Sequence, residues 1–398
     1  KLVEYYELIG NASDRVDVRT VGESTLGNPF LMIFVSTPEN LAKLDEIKRM
    51  NAILQDPRGH SMAEVDNAVE NSKVVFVQSY ALHSTEVAAS QSAAEIMYDF
   101  ATRTDDGIQE ILENTVSIIV PGMNPDGNII VTDWYNQWVG TEYEGANPPE
   151  LYHHYIGHDN NRDAMGQMLA LTKHVNTVQL EGAPTVMHDL HEAANYLYSS
   201  TGTGPYNEAF DAITITEWWM LAENDVLQLT KRGVPGVWTY GFYDGWTPNY
   251  MFTIAHGHNS IGRFYEVASY GPQIRTLRTN MSREWFRPNP PLNEIEWGPR
   301  NNTNIQQSAV LFSLKMMADQ REMFLDNYWV KNKRSVQKGI DGDVNAWVIP
   351  ADQRRKADAA DAVNELMRQG LEIHRADDSF EIGDMEVSEG DYVIRADQ

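Results

Sequence analysis

The chain of 398 residues contains no cysteine. That absence excludes disulfide staples, thiolate metal ligands and a cysteine nucleophile, and it leaves any metal to His, Asp or Glu. Basic residues are scarce: 31 Lys+Arg stand against 57 Asp+Glu, a formal charge of -26. A field of that sign repels phosphate backbones and anionic lipid at long range, which argues against nucleic acid as a partner. Long hydrophobic runs are missing too. No window approaches about 18 uninterrupted apolar residues, so no membrane span is expected, and Lys1 opens on globular-looking sequence with no visible signal peptide. What is present is ample: with 42% hydrophobic and 10% aromatic residues there is material for one large core, or a core plus an appended module.

Five short β-branched or apolar runs read as buried strands: "NPFLMIFVS", "SKVVFVQS", "TVSIIVPG", "APTVMHDL" and "GRFYEVAS". Between them "STEVAASQSAAEIMYDFATR", "RDAMGQMLALTKHV", "YNEAFDAITITEWWMLAENDVLQLTKRG" and "TNIQQSAVLFSLKMMADQREMFLDNYW" repeat apolar residues at helical spacing. Strands alternating with helices predict an α/β sheet wrapped by helices. The Pro- and Asn-rich segment Glu284–Asn302 reads as a surface excursion. Past about Tyr328 the texture changes. "AWVIPADQ", ending at Gln353, is echoed by "DYVIRADQ", ending at Gln398, with a helical "KADAADAVNELMRQG" and a strand-like "LEIHRA" between. The expected organisation is therefore a main domain over 1–330 and a small C-terminal α/β module over 331–398 serving packing, with a longer natural chain hinted at beyond it.

The stretch "SYALHSTEVAAS" places His83 and Glu86 three positions apart in the turn between a predicted strand and a predicted helix. Residues so spaced share one face and converge beyond the strand's carboxyl end, where open α/β sheets hold ligands. The plain alternative is an N-cap at Ser84 or Thr85 with Glu86 favoured by the helix dipole. A catalytic zinc needs three protein ligands and one open position, so the pair requires a third. "VMHDLHEAANYLYSS" offers His188 and His191 at another strand end. On a strand the two point to opposite faces, and His191, nearer the end, is the one expected to join.

These residues resemble the zinc metallocarboxypeptidases of the carboxypeptidase A type. "HSTE" resembles the family's H-x-x-E, "NPDG" at Asn124–Gly127 its turn motif, "DNNRD" at Asp159–Asp163 its D-x-N-R, "DLH" its third-ligand strand and "RFYEVAS" its catalytic strand. The motifs run in order from about Val3 to Tyr270 and do not reach the C-terminal module. The resemblance implies a mixed, mostly parallel twisted sheet flanked by helices on both faces, and one zinc held by His83, Glu86 and His191. It implies Glu266 as general base, Asn161 and Arg162 gripping the terminal carboxylate of a peptide with a free C-terminus, and a mobile tyrosine, assigned on spacing to Tyr243 from among Tyr240, Tyr243 and Tyr250. A secreted or periplasmic setting goes with it; no oligomeric state does.

One departure stands out. No Lys or Arg lies between Arg103 and Arg162, where the family usually has a carbonyl-polarising arginine. His153, His154 or His158 could replace it, whereas Arg263 has the wrong strand parity relative to Glu266. "AHGHN" reads as a structural pair, His256 and His258, on a strand. The competing functions are an amidohydrolase acting on a small acylamino acid or cell-wall peptide, and an inactive binding domain on the same scaffold.

Overall fold

All five expected strands form, and all lie in one seven-stranded sheet. The computed structural model describes residues 1–149, 153–269, 271, 273–279, 290–383 and 385–398. The strands are β1 (Val16–Glu23), β2 (Pro29–Val35), β3 (Val74–Tyr80), β4 (Thr115–Val120), β5 (Val186–His191), β6 (Leu197–Ser199) and β7 (Ile261–Val267), in the order β1-β2-β4-β3-β5-β7-β6. The central four run parallel; β1, β2 and β6 pair antiparallel at the two sides. Every residue of β3, β4, β5 and β7 is buried, as required of parallel strands covered on both faces. β1 escaped the sequence reading because this edge strand interleaves polar residues with its valines, and β6 because it spans three residues.

Phe76, Val186, Leu190, Ile261 and Tyr265 bury one face under the helices Val87–Thr102, Ala212–Lys231 and Pro299–Asp319. On the opposite face Val75, Val77, Val116, Ile118 and Met187 meet Val175 and Val178 of the helix Ala170–Gly182. Two expected helices are corrected. The first begins at Ala170 rather than Arg162, because the Asp163 carboxylate accepts from the Met168 and Leu169 amides and the Thr172 hydroxyl and holds a loop there. The other divides at Gln320 into Pro299–Asp319 and Arg321–Asp341, with the Arg321 guanidinium donating to the carbonyls of Val69, Glu70 and Ser72.

The boundary expected at 330/331 falls inside that last helix, whose buried Lys331 donates to Glu217 of the main body at 2.6 Å. We place the division, as a proposal, after Asp341. Beyond it the two V-I-x-A-D-Q copies pair with each other, Ala346–Ile349 antiparallel to Tyr392–Arg395, and Ile373–Arg375 completes a three-stranded sheet beside the helix Lys356–Arg368. Of the excursion expected at Glu284–Asn302, the part up to Asn289 lies outside the described residues. The rest is largely exposed, as expected, but ordered: Glu294–Trp297 pairs with Arg275–Arg278, and buried Trp297 donates to buried Asn302 at 2.6 Å.

His256 lies on a short helix, Thr253–Gly257, rather than a strand. It is wedged between Phe210, Trp218 and Phe252. Burial, aided by the Lys331 charge, pushes its pKa down to about 3. The folded form thus holds His256 neutral while the unfolded chain takes up a proton below about pH 6.5, so stability is present above that pH and is lost as pH falls towards 3. His256→Phe, which keeps the packing, is expected to flatten the fall in melting temperature between pH 6.5 and 4.

Candidate metal centre and active site

Parallel pairing sets the carboxyl ends of β3, β5 and β7 side by side. In register, His191 sits beside Glu266 and Asp189 beside Phe264, so these four share one face; His188, Arg263 and Tyr265 share the other. His83 lies in the turn after β3. Glu86 takes the cap position of the Val87–Thr102 helix without capping it, and neither Ser84 nor Thr85 caps it instead. Its carboxylate is engaged elsewhere: Oε1 lies 3.0 Å from His83 Nδ1 and Oε2 lies 3.0 Å from His191 Nδ1.

One donor atom from each of His83, Glu86 and His191 falls within 4.8 Å of the others. The outer nitrogens are held as well, His83 Nε2 by Asp159 Oδ1 at 2.9 Å and His191 Nε2 by Asp189 Oδ2 at 2.7 Å. Carboxylates behind metal-binding histidines fix the ring and the tautomer, leaving Nδ1 free to bind a cation. Asp189 is itself oriented by the Ser79 hydroxyl at 2.8 Å. Two imidazoles and one carboxylate with an open side form a zinc donor set.

Burial opposes charge on both histidines, but the surrounding carboxylates outweigh it: His83 rises to about 9 through Glu86 and Asp159, and His191 lies well above its ordinary value through Asp189 and Glu86. The same contacts, against burial, lower Glu86 to about 2. Glu266 goes the other way. It is 8% exposed, its Oε2 is buried without a partner, and burial pushes its carboxyl up to about 8 against the opposing pull of His191.

The remaining expected residues divide. Asn161 is buried beside the centre, its oxygen accepting from the Met251 amide at 2.8 Å and its nitrogen 3.3 Å from His191 Nε2. Arg162 is partly exposed, donates to the Asn161 carbonyl at 2.9 Å and lies 4.1 Å over the Tyr250 ring. Tyr243 is not brought to the centre by its polar end: its hydroxyl is buried and its ring packs with Tyr250, Phe252 and Phe264. Tyr250 is the tyrosine that meets Arg162, a pairing that spacing alone could not select. His153 is buried and stacked on Tyr155, with its pKa lowered by burial, while His158 donates through Nδ1 to the Asp159 carbonyl at 2.8 Å and has Nε2 3.6 Å from Asp163 Oδ1. Arg263 is fully buried against Asp225, Ser199 and Ser313 on the far face. Beside Glu86 a cavity of about 250 Å³ is lined by Thr85, Trp134, Tyr135, Asn147, Glu192 and Ser269.

Sequence reasoning missed Asp159 and Asp189 as partners of the histidines. Asp189 was within reach of it, since a residue two before His191 on a strand faces the same way. Glu192 was also missed; it is buried, and burial together with the Glu86 charge raises its pKa to about 8. "NPDG" is a helix start rather than a plain turn: Asn124 Oδ1 accepts from the Gly127 amide at 3.0 Å and caps the helix Pro125–Trp138.

A buried His-Glu-His cluster with a carboxylate beside it, at the carboxyl edge of this sheet, defines a zinc metallopeptidase. The family model for zinc carboxypeptidases matches residues 3–209, and the chain belongs to that family. The fold is similar to that of a metallo-carboxypeptidase from Burkholderia cenocepacia, at TM-score 0.51 and 14% identity, covering 80% of this chain and 68% of that one. It is equally similar to a Pseudomonas aeruginosa metallo-carboxypeptidase solved with (2-guanidinoethylmercapto)succinic acid, at TM-score 0.51 and 15% identity, again covering 80% and 68%. No curated protein sequence matches the chain. Among the described residues no helix is long and apolar enough to cross a membrane.

Proposed function

We propose that the protein is a carboxypeptidase that removes the C-terminal residue of peptides at one zinc held by His83, Glu86 and His191. The observation that carries this reading is the meeting of those three donors, with an unpartnered carboxylate oxygen on Glu266, which neighbours His191 on one sheet face. Zinc, when bound, supplies Lewis acidity, polarising a carbonyl and bringing a water's pKa to about 7. Glu266 takes the proton at Oε2 and returns it to the departing amine as the peptide C–N bond breaks. Asp159 and Asp189 keep both Nδ1 atoms turned inward.

Arg162 receives the substrate's terminal carboxylate, its planar fork stiffened by the Tyr250 ring. Asn161, its oxygen committed to Met251, offers only amide hydrogens to the same group. Tyr243 supports this wall through Tyr250 and Phe252. The secreted or periplasmic setting is carried forward with the proposal and rests on the family resemblance alone.

The test is zinc content measured alongside hydrolysis of matched peptides with free and amidated C-termini. One zinc per chain and a strong preference for the free acid are expected; equal cleavage of both would replace the exopeptidase by an amidase or endopeptidase. Arg162→Ala is expected to lower kcat/KM on free-acid peptides about 30-fold. That corresponds to about 2 kcal/mol, the low end for truncating one side of a charge pair, because this guanidinium is partly exposed.

A further inference from the structure

The helix Pro299–Asp319 lies beyond the matched residues 3–209 and carries no expected site residue. Two of its side chains, Asn302 and Gln306, stand one turn apart on one face and are 2% and 0% exposed. Asn302 Nδ2 donates both to Glu192 Oε2 at 3.0 Å and to the Ala268 carbonyl at 2.6 Å, while its oxygen accepts from Trp297 Nε1 at 2.6 Å. Gln306 Nε2 donates to the His191 carbonyl at 3.1 Å, and its oxygen accepts from the Ser92 hydroxyl at 3.3 Å. Glu192 closes the set by accepting from the Ala88 amide at 2.7 Å, within the first turn of the helix that Glu86 leads.

Apart from the Trp297 bond, each of these ends on a segment that carries a proposed site residue. His191 and Glu192 are at the end of β5, Ala268 follows Glu266 by two residues, and Ala88 and Ser92 belong to the helix behind Glu86. The three segments are far apart in sequence, and backbone pairing fixes only β5 against β7. Buried amides left unpaired are costly, so a fully paired set admits one arrangement and resists others.

We infer that Asn302, Gln306 and Glu192 form a latch that sets the mutual spacing of Glu86, His191 and Glu266. They are positioning residues, acting through the ligands and the base. The inference rests on the site reading proposed above. Arg162 is held by Asn161 and Tyr250, outside the latch. Loosening the latch therefore weakens zinc binding and slows the chemical step without weakening the grip on the substrate carboxylate.

The experiment measures, well below the melting temperature, the zinc dissociation constant by chelator competition, and kcat and KM on a free-acid peptide. The proteins are the wild type, Asn302→Ala, Gln306→Leu and the exposed control Asn304→Ala on the same helix. Outer partners of metal ligands typically contribute 10- to 100-fold, so the two latch variants are expected to lose about 10- to 100-fold in zinc affinity and in kcat, with KM within about twofold and the control unchanged. If Asn302→Ala does not fold, Gln306→Leu, which preserves volume, decides alone. Folded latch variants with unchanged zinc affinity and kcat, or with only a lowered melting temperature, overturn the latch and leave the site reading intact. A wild type that binds no zinc overturns both.

Discussion

Replacing Glu266 by glutamine is expected to leave zinc and peptide binding near normal while kcat falls by about 10² to 10⁴, the usual worth of general acid-base assistance. The substitution keeps the shape of a side chain set among Phe264, His191 and Tyr198, but an amide cannot take a proton. The carboxyl resides where burial disfavours its charge and one oxygen lacks a partner, an arrangement with no structural benefit, since a buried unpaired polar atom costs stability. Glu266→Gln should therefore fold at least as well as the wild type. Zinc content, peptide affinity and kcat for this variant check the argument. Zinc lost together with activity would place Glu266 among the ligands, and near-normal kcat would take it out of the mechanism.

His191→Ala is expected to empty the metal site, with His188→Phe retaining close to one zinc per chain. His188 is fully buried on the other sheet face, edge-to-face with Tyr265 at 4.1 Å and tilted against Phe76 at 5.9 Å, and its pKa lies well below the ordinary value, chiefly through burial. A phenyl ring suits that place. His191 instead gives one of three donors, and a remaining His-Glu pair cannot complete a tetrahedral site. Metal analysis of the two purified variants is the measurement, and the reverse pattern would exchange the histidines. Zinc must also displace protons: with His83 raised to about 9, the metal-free site is protonated at neutral pH. Apparent zinc affinity should fall as pH is lowered below 9, by about tenfold per unit for each proton released.

The legible parts of this protein were those written in local pattern. The strands β2, β3, β4, β5 and β7 show as apolar runs because a strand covered on both faces needs apolar residues at nearly every position. Strand parity admitted at most one of His188 and His191, and the strand end favoured His191, which the structure sets beside His83 and Glu86. What was not legible depends on contacts remote in sequence. Asp159 reaching His83, Tyr250 lying under Arg162 and the Asn302 amide bridging Glu192 to Ala268 leave no periodic trace, since each is fixed by the packing of distant segments. Tyr243 illustrates the limit: spacing proposed it, yet the loop turns its hydroxyl inward.

The pairing of β7 with β5 has one more consequence. A slip of one residue would exchange the two faces of β7, withdrawing Glu266 and setting Tyr265 or Val267 opposite His191. The protein carries a steric check against that error. Gly262 lies so close to the Phe252 carbonyl that a Cβ there would fall 2.0 Å from the oxygen. In a slipped register that spot would be taken by Ile261 or Arg263, whose Cβ cannot fit. The smallest residue of the strand thus marks its alignment, since a register one step out would set a Cβ against the Phe252 carbonyl as it withdrew the carboxylate from the metal-binding edge.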